Sequence, residues 1–197
     1  MTARIRLAVI SCLLLVTALA SADEALWAQL RAGGLVVLMR HTLTTAGIGD
    51  PDEFRLDDCA TQRNLSAEGR EQARRIGAAL KARGVRIGEV RTSAWCRAEE
   101  TARLAFGRAE VWVELNSTFH DRSRKTPQTE AVRRRIAEYR GQDNLFLVGH
   151  GSNILALTGV HPGMGGMVVV APGGPDGFRI VGRLEPEAVL ADPNSRR

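Results

Sequence analysis

The central feature of this chain is the stretch Gly34-Leu35-Val36-Val37-Leu38-Met39-Arg40-His41. Five apolar residues follow a glycine here, which is the pattern of a strand buried on both faces inside a parallel sheet. The strand ends at Arg40 and His41. Because ligands bind at the carboxyl ends of strands in open α/β sheets, this pair can act on an anion. A histidine at this point can also simply cap the strand, so the interpretation depends on the other strand ends.

Strand and helix patterns alternate along the rest of the chain. Further strands are predicted at 87–92, 110–113 and 144–148, helices at 23–32, 66–83, 97–106, 127–140 and 152–157, and two final strands at 167–170 and 178–181. The polar tail from Glu185 is expected to fray. Such alternation predicts an α/β fold, a three-layer α/β/α sandwich with a mainly parallel central sheet and a C-terminal β-hairpin.

The amino terminus predicts export. Arg4 and Arg6 precede an almost unbroken apolar run at 7–19, and small residues occupy 20–22. We expect a signal peptide over 1–22 with cleavage after Ala22, one domain over 23–197, and a periplasmic or secreted protein. The apolar run of roughly 13 residues is shorter than the ~20 that span a bilayer, so no stable membrane insertion is expected after cleavage.

The composition of the mature chain excludes several classes of function. Removal of Arg4 and Arg6 leaves 25 basic and 22 acidic residues, a net charge of +3, and the chain has only one tyrosine and five phenylalanines. This composition argues against nucleic-acid binding. Cys59 and Cys96 lack the spacing of zinc ligands, so neither a metal nor another cofactor is expected. In an oxidising compartment such an isolated pair is expected to form a disulfide.

Other strand ends supply groups that match Arg40 and His41. Arg97 lies at the start of a predicted helix, where free backbone N–H groups favour an anion, and His150 follows the strand at 144–148. Arginine forks bind phosphate oxygens in pairs, and a neutral imidazole can attack phosphorus through Nε2. A second histidine can stabilise the oxygens in the transition state. These groups together predict a pocket for a phosphate dianion.

Two loops complete the predicted site. The loop at 42–63 follows His41 directly, and its apolar residues show no helix or strand periodicity. We therefore interpret it as a flap or wall of the site. Thr44 within it is a candidate phosphate ligand. The loop at 114–121 carries carboxyl groups that could protonate a leaving alkoxide, with Asp121 as the preferred donor and Glu114 as the alternate.

Four segments of the chain resemble the histidine phosphatase (phosphoglycerate-mutase-like) superfamily. They are Leu38-Met39-Arg40-His41-Thr42 for the signature Arg-His-Gly, 64–73 for Leu-Thr-x-x-Gly-x-x-Gln-Ala, 93–102 for Ser-x-x-x-Arg-x-x-x-Thr-Ala, and 148–151 for the second histidine. They occur in the family's order and cover about residues 35–158. The resemblance implies a metal-independent histidine-type acid phosphatase, in which His41 accepts the phosphoryl group while Arg40, Arg97 and His150 bind the phosphate.

The chain departs from the family pattern at two positions. Thr42 replaces the signature glycine, so the backbone after His41 is less free to approach a ligand. Ser117 falls where the mutases have their acid, which argues against mutase activity. The proton donor must then be Asp121, Glu114 or His120, or be absent.

Three functions are therefore compared. The first is a phosphomonoesterase that acts on a phosphorylated small molecule or an envelope sugar phosphate. The alternative is a non-catalytic pseudoenzyme that binds phosphate or another anion, which the residues Thr42 and Ser117 motivate. A metal-dependent hydrolase is disfavoured because no carboxylate accompanies His41 or His150 at ligand spacing.

Overall fold

The computed structural model describes residues 24–119 and 121–191, with a six-stranded sheet at its centre. The strands are Val36–Arg40 (β1), Ile87–Thr92 (β2), Glu110–Val111 (β3), Asn144–Gly149 (β4), Met167–Pro172 (β5) and Phe178–Leu184 (β6). Their order across the sheet is β3-β2-β4-β1-β5-β6. β1 and β4 are parallel, with Arg40 opposite Gly149. The residues that follow these strands, His41 and His150, therefore lie at the same sheet edge.

The helices begin and end near the residues that the sequence signals indicate. Their bounds are 24–32 for the described part of the first helix (α1), Ala67–Ala82 (α2), Cys96–Phe106 (α3), Lys125–Ala137 (α4), Gly151–Thr158 (α5) and Pro186–Leu190 (α6). Ser66 caps α2, since its hydroxyl accepts the N–H of Gly69. Gly107 ends α3 in the left-handed conformation, with a φ of 72°.

Helices pack on both faces of the sheet, and β1 contributes to both cores. Val37 and Met39 lie in the core that includes α1, α2 and α3, whereas Val36 and Leu38 lie in the core that includes α4 and α5. None of these four side chains is more than 2% exposed. The predicted strand buried on both faces is confirmed. Each such side chain contributes about 1.5–3 kcal/mol to stability by leaving water.

The prediction of an α/β fold is confirmed, and the sheet is mixed, with three parallel and two antiparallel strand pairs. β1 with β4, β2 with β4, and β2 with β3 are parallel pairs, whereas β1 with β5 and β5 with β6 are antiparallel. The sheet is mixed because the C-terminal hairpin pairs directly with β1, so its antiparallel pairings belong to the central sheet.

Three expectations differ from the structure. The third strand is only Glu110–Val111, and the chain then turns into a short 3-10 helix at Val113–Leu115. Helix α4 begins at Lys125, two residues before Pro127. The tail does not fray at Glu185 but forms α6, because Val189 is fully buried in the core and holds this segment in place.

The predicted signal peptide at 1–22 lies outside the described residues. Within 24–119 and 121–191, no helix is long and apolar enough to cross a membrane.

Candidate active site

His41 lies directly after the buried central strand and is itself only 3% exposed. Its backbone N–H donates to the carbonyl of Gly149, and its Nδ1 lies 2.9 Å from the carbonyl of Thr42. A carbonyl can only accept, so Nδ1 carries the proton and Nε2 has the lone pair. Burial lowers the pKa of His41, the hydrogen bond to the Thr42 carbonyl opposes this, and the charges of Arg97 and Arg40 add to it, so that the pKa falls to about 3. The imidazole is therefore neutral near pH 7.

His150 caps α5 and lies against the first histidine. The two ring centroids are 5.5 Å apart in an edge-on arrangement. Burial, followed by the charges of nearby groups, holds the pKa of His150 well below its usual range, so this ring is also neutral. Its Nε2 lies 2.9 Å from the hydroxyl of Ser93. The same hydroxyl lies 3.4 Å from Oδ1 of Asn116 and can donate to only one of these two acceptors; when it donates to Nε2, the proton of the neutral ring is on Nδ1, which is then a hydrogen-bond donor.

Three arginines surround the two histidines. Arg40, Arg63 and Arg97 line the same pocket as His41 and His150. The Nε atom of each is buried and has no hydrogen-bond partner among the described residues. A buried donor without a partner is costly, and such groups commonly mark the position of a bound ion or ligand. The three Nε–H groups are therefore suited to bind the oxygens of an anion.

Asp50 is the carboxylate of the described pocket lining, and it is committed to other partners. Its two oxygens accept Nη1 and Nη2 of Arg97 at 2.6 and 3.1 Å, and the backbone N–H of Arg63 and Nε1 of Trp95 also donate to it. The Asp50 and Arg97 side chains are 1% and 4% exposed. Burial alone would raise the pKa of Asp50, but the bonds and charge of Arg97 reverse this effect and lower it. Asp50 is therefore ionised.

The predicted flap is fastened to the start of α3. Cys59 and Cys96 form the predicted disulfide. Next to it, Oε1 of Gln62 accepts the free backbone N–H of Cys96 at 3.0 Å. Together with the bonds of Asp50, these links fix the loop that carries Arg63 relative to the helix that carries Arg97. The expected disulfide between the two cysteines is confirmed.

The side chain that replaces the signature glycine points away from the pocket. Thr42 is fully buried, and both its N–H and its hydroxyl lie 3.1 Å from the hydroxyl of Thr101 on α3. The next residue, Leu43, packs so closely on α2 that a Cβ at Gly69 would lie 1.8 Å from the Leu43 carbonyl oxygen. Thr42 is therefore accommodated by α3 and does not fill the site.

The other predicted residues are not all brought to the pocket. The Thr44 hydroxyl lies 3.9 Å from the sulfur of Met164, and Thr44 is not part of the described lining. Asp121 is exposed and accepts hydrogen bonds from Ser123, which lower its pKa. Glu114 lines a different cavity, which Leu38 also lines. Their proposed roles remain predictions, and His120 lies outside the described residues.

The pocket has a charged floor and an apolar rim. Its volume is about 310 Å³. The rim includes Ile48 and Phe119, which are 92% and 53% exposed, together with Ser117, Ser152, His161 and Met164. A larger groove of about 980 Å³ lies between α4 and the C-terminal hairpin and contains neither catalytic histidine candidate. No cluster of three or more potential metal ligands occurs within 24–119 and 121–191.

A family model describes the segment that carries most of this geometry. The model of the histidine phosphatase superfamily (branch 1) matches residues 36–126, which include His41, Arg63 and Arg97. Over these residues the chain is similar to the histidine phosphatase superfamily. No curated protein sequence matches this chain at a significant level.

Solved structures share its phosphoglycerate-mutase-like fold at low sequence identity. The protein histidine phosphatase SixA complexed with tungstate is 20% identical, with a TM-score of 0.53, over 77% of this chain and 97% of that one. Phosphoserine phosphatase from Entamoeba histolytica, in complex with 3-phosphoglyceric acid, is 13% identical, with a TM-score of 0.57, over 79% and 99%. A putative α-ribazole-5′-P phosphatase from Escherichia coli is 18% identical, with a TM-score of 0.57, over 74% and 94%.

Sequence patterns located four residues of this pocket and missed Asp50, Arg63 and His161. Arg40, His41, Arg97 and His150 come together as their positions at strand ends predict. Asp50 and Arg63 were not identified, because both lie in the aperiodic flap. A weak signal for Arg63 was available, since it immediately precedes the family motif at 64–73.

Proposed function

We propose that this protein is a phosphomonoesterase that acts through a covalent phosphohistidine on His41. The observation that supports this most strongly is a neutral imidazole, with Nε2 available, beside three arginines whose buried Nε atoms have no partner among the described residues. Such an arrangement neutralises the charge of a phosphate dianion that would otherwise repel the nucleophile.

The charges of the lining groups support a dianionic ligand. Among the arginines and the carboxylate of the described lining, Arg40, Arg63 and Arg97 contribute three positive charges and Asp50 compensates one of them, so two remain. Because both histidines are neutral, they do not add to this balance. In this proposal Arg63 is a third phosphate-binding arginine, which the flap supplies.

The reaction proceeds in two transfers. Nε2 of His41 attacks phosphorus, and the bond between phosphorus and the leaving oxygen breaks. The arginines and the Nδ1–H of His150 stabilise the oxygens as charge shifts between them. A water molecule then attacks the phosphohistidine, the P–N bond breaks, and phosphate and neutral His41 are released. No step requires a metal, because the guanidinium groups supply the positive charge.

The substrate in this proposal is a phosphorylated small molecule. The cavity of about 310 Å³ lies at the lower end of the range of small-molecule pockets, ~300–1,000 Å³. The predicted signal peptide motivates a periplasmic or secreted location, and the disulfide supports an oxidising compartment. An envelope sugar phosphate is one substrate compatible with that location.

Hydrolysis of p-nitrophenyl phosphate in the presence of EDTA tests this proposal. We expect turnover that the chelator does not reduce, and we expect none from His41→Asn, although that variant should still bind inorganic phosphate. The pseudoenzyme alternative gains support from the ion pair that engages Arg97, and it predicts phosphate binding without turnover by the unmodified protein. Loss of turnover in EDTA would instead indicate a metal-dependent enzyme.

A further inference from the structure

The proposed function requires a group that protonates the leaving alkoxide, and the inference below depends on that function. The carboxylate in the described lining, Asp50, is ionised and already accepts bonds from Arg97 and Trp95. The two carboxyl groups predicted from the sequence, Asp121 and Glu114, are not in that lining. Another side chain of the described lining that can transfer a proton is His161.

His161 is in the right place for this role. It follows α5, is exposed to solvent and lines the pocket beside the two buried histidines. Its Nε2 and Cδ2 lie 2.7 and 3.1 Å from the point that a Cβ on Gly151 would occupy. Gly151 directly follows His150, so the imidazole fills the space left by the missing side chain next to the second histidine.

The phosphate-binding residue Arg40 fixes this imidazole relative to the reaction centre. Cδ of Arg40 lies 3.3 Å from the same Gly151 point, so the two side chains are neighbours. Nη1 of Arg40 also donates to the carbonyl of Pro162 at 3.0 Å, which holds the residue after His161. His161 thus lines the pocket beside Arg40 and Gly151, next to the second histidine.

We propose that His161 is the proton donor to the leaving group and, afterwards, the base that activates water. As Nε2 of His41 forms its bond to phosphorus and the P–O bond breaks, the leaving oxygen takes the proton from the His161 imidazolium and departs as an alcohol. The neutral imidazole then accepts a proton from the attacking water, so P–N cleavage releases phosphate and restores the imidazolium. Charge and protons balance over the cycle.

The dependence on the leaving group distinguishes this role from a structural one. We compare an alkyl phosphate with p-nitrophenyl phosphate, whose phenolate leaves without a proton. The quantity measured is kcat/KM, which includes the steps up to departure of the leaving group and does not include the later attack by water. His161→Gln should reduce kcat/KM for the alkyl phosphate about 10²–10⁴-fold and change the value for p-nitrophenyl phosphate little. His161→Asn should behave in the same way.

Asp121→Asn tests the competing donor, because Asp121 is the residue predicted for this role from the sequence. We expect it to leave the ratio of the two kcat/KM values unchanged. A selective loss in Asp121→Asn, or an equal loss on both substrates in both His161 variants, would overturn the proposal. Calorimetric binding of inorganic phosphate shows whether the variant pockets are intact. If the unmodified protein hydrolysed neither substrate, the phosphatase function itself would fail, which is a different result from unselective His161 variants.

Discussion

Replacement of Asp50 by asparagine should destabilise the free protein and strengthen its binding of phosphate. The side chains of Asp50 and Arg97 are 1% and 4% exposed, and their closest atoms are 2.6 Å apart. Asparagine keeps the shape and one carbonyl oxygen but removes the charge that compensates Arg97. Removal of one partner of a buried ion pair typically costs about 3–5 kcal/mol, because the other charge remains buried.

An independent estimate gives a similar magnitude. Two unit charges about 4 Å apart attract each other by about 4 kcal/mol at an effective dielectric constant of about 20. Because the buried charge of Arg97 is no longer compensated in Asp50→Asn, a bound phosphate should stabilise it and restore part of the lost stability. Phosphate at about 100 times its Kd stabilises a folded protein by about 2.7 kcal/mol, and the gain should be larger in Asp50→Asn than in the unmodified protein.

Urea unfolding at pH 7, with and without inorganic phosphate, measures both effects. Asp57→Asn is the matched control, because Asp57 lies on the same flap and forms an exposed ion pair with Arg55. We expect no measurable change in its unfolding midpoint. The reasoning would be refuted if Asp50→Asn lost less than about 1 kcal/mol, or if phosphate stabilised it no more than it stabilises the unmodified protein.

Three further predictions concern the same pocket. The His41 imidazole should stay neutral in NMR titrations down to about pH 4, since its pKa is lowered to about 3, and a titration midpoint near 6.5 would contradict this. Because the unfolded chain takes up a proton at His41 below about pH 6.5, the free energy of unfolding should decrease as the pH falls from about 6.5 towards 3. Replacing Cys59 and Cys96 by serine should cost up to about 4 kcal/mol, measured by urea unfolding, and should weaken phosphate binding, whereas unchanged values would show that the bridge does not organise the flap. Arg63→Gln should weaken calorimetric binding of phosphate by about tenfold or more, whereas Arg55→Gln on the same flap should not, and equal affinities would remove Arg63 from the site.

Local patterns were sufficient to predict the elements that carry the site. The apolar run before Arg40 predicts a buried strand because only a position inside the sheet covers both of its faces. Ser66 and Gly107 predict helix ends because capping and the left-handed conformation are local effects. Given these elements, the shared edge of parallel strands predicts that His41 and His150 meet.

Features that depend on long-range contacts could not be predicted in this way. Asp50 and Arg63 lie in a loop without periodicity, and their position follows from bonds to Trp95 and Arg97 on another element. The insertion of the C-terminal hairpin beside β1 likewise has no local signal, which is why its antiparallel pairing with β1 was not predicted. His161 was missed because its proximity to the site results from the absence of a side chain at Gly151.

The central claim is that His41 becomes phosphorylated during turnover. Rapid acid-free quenching of the protein with ³²P-labelled substrate, followed by peptide mapping, measures this directly. We predict one acid-labile, base-stable phosphopeptide that contains His41 and is absent from His41→Asn. Turnover without such an intermediate, or a labelled peptide that persists in His41→Asn, would contradict the account.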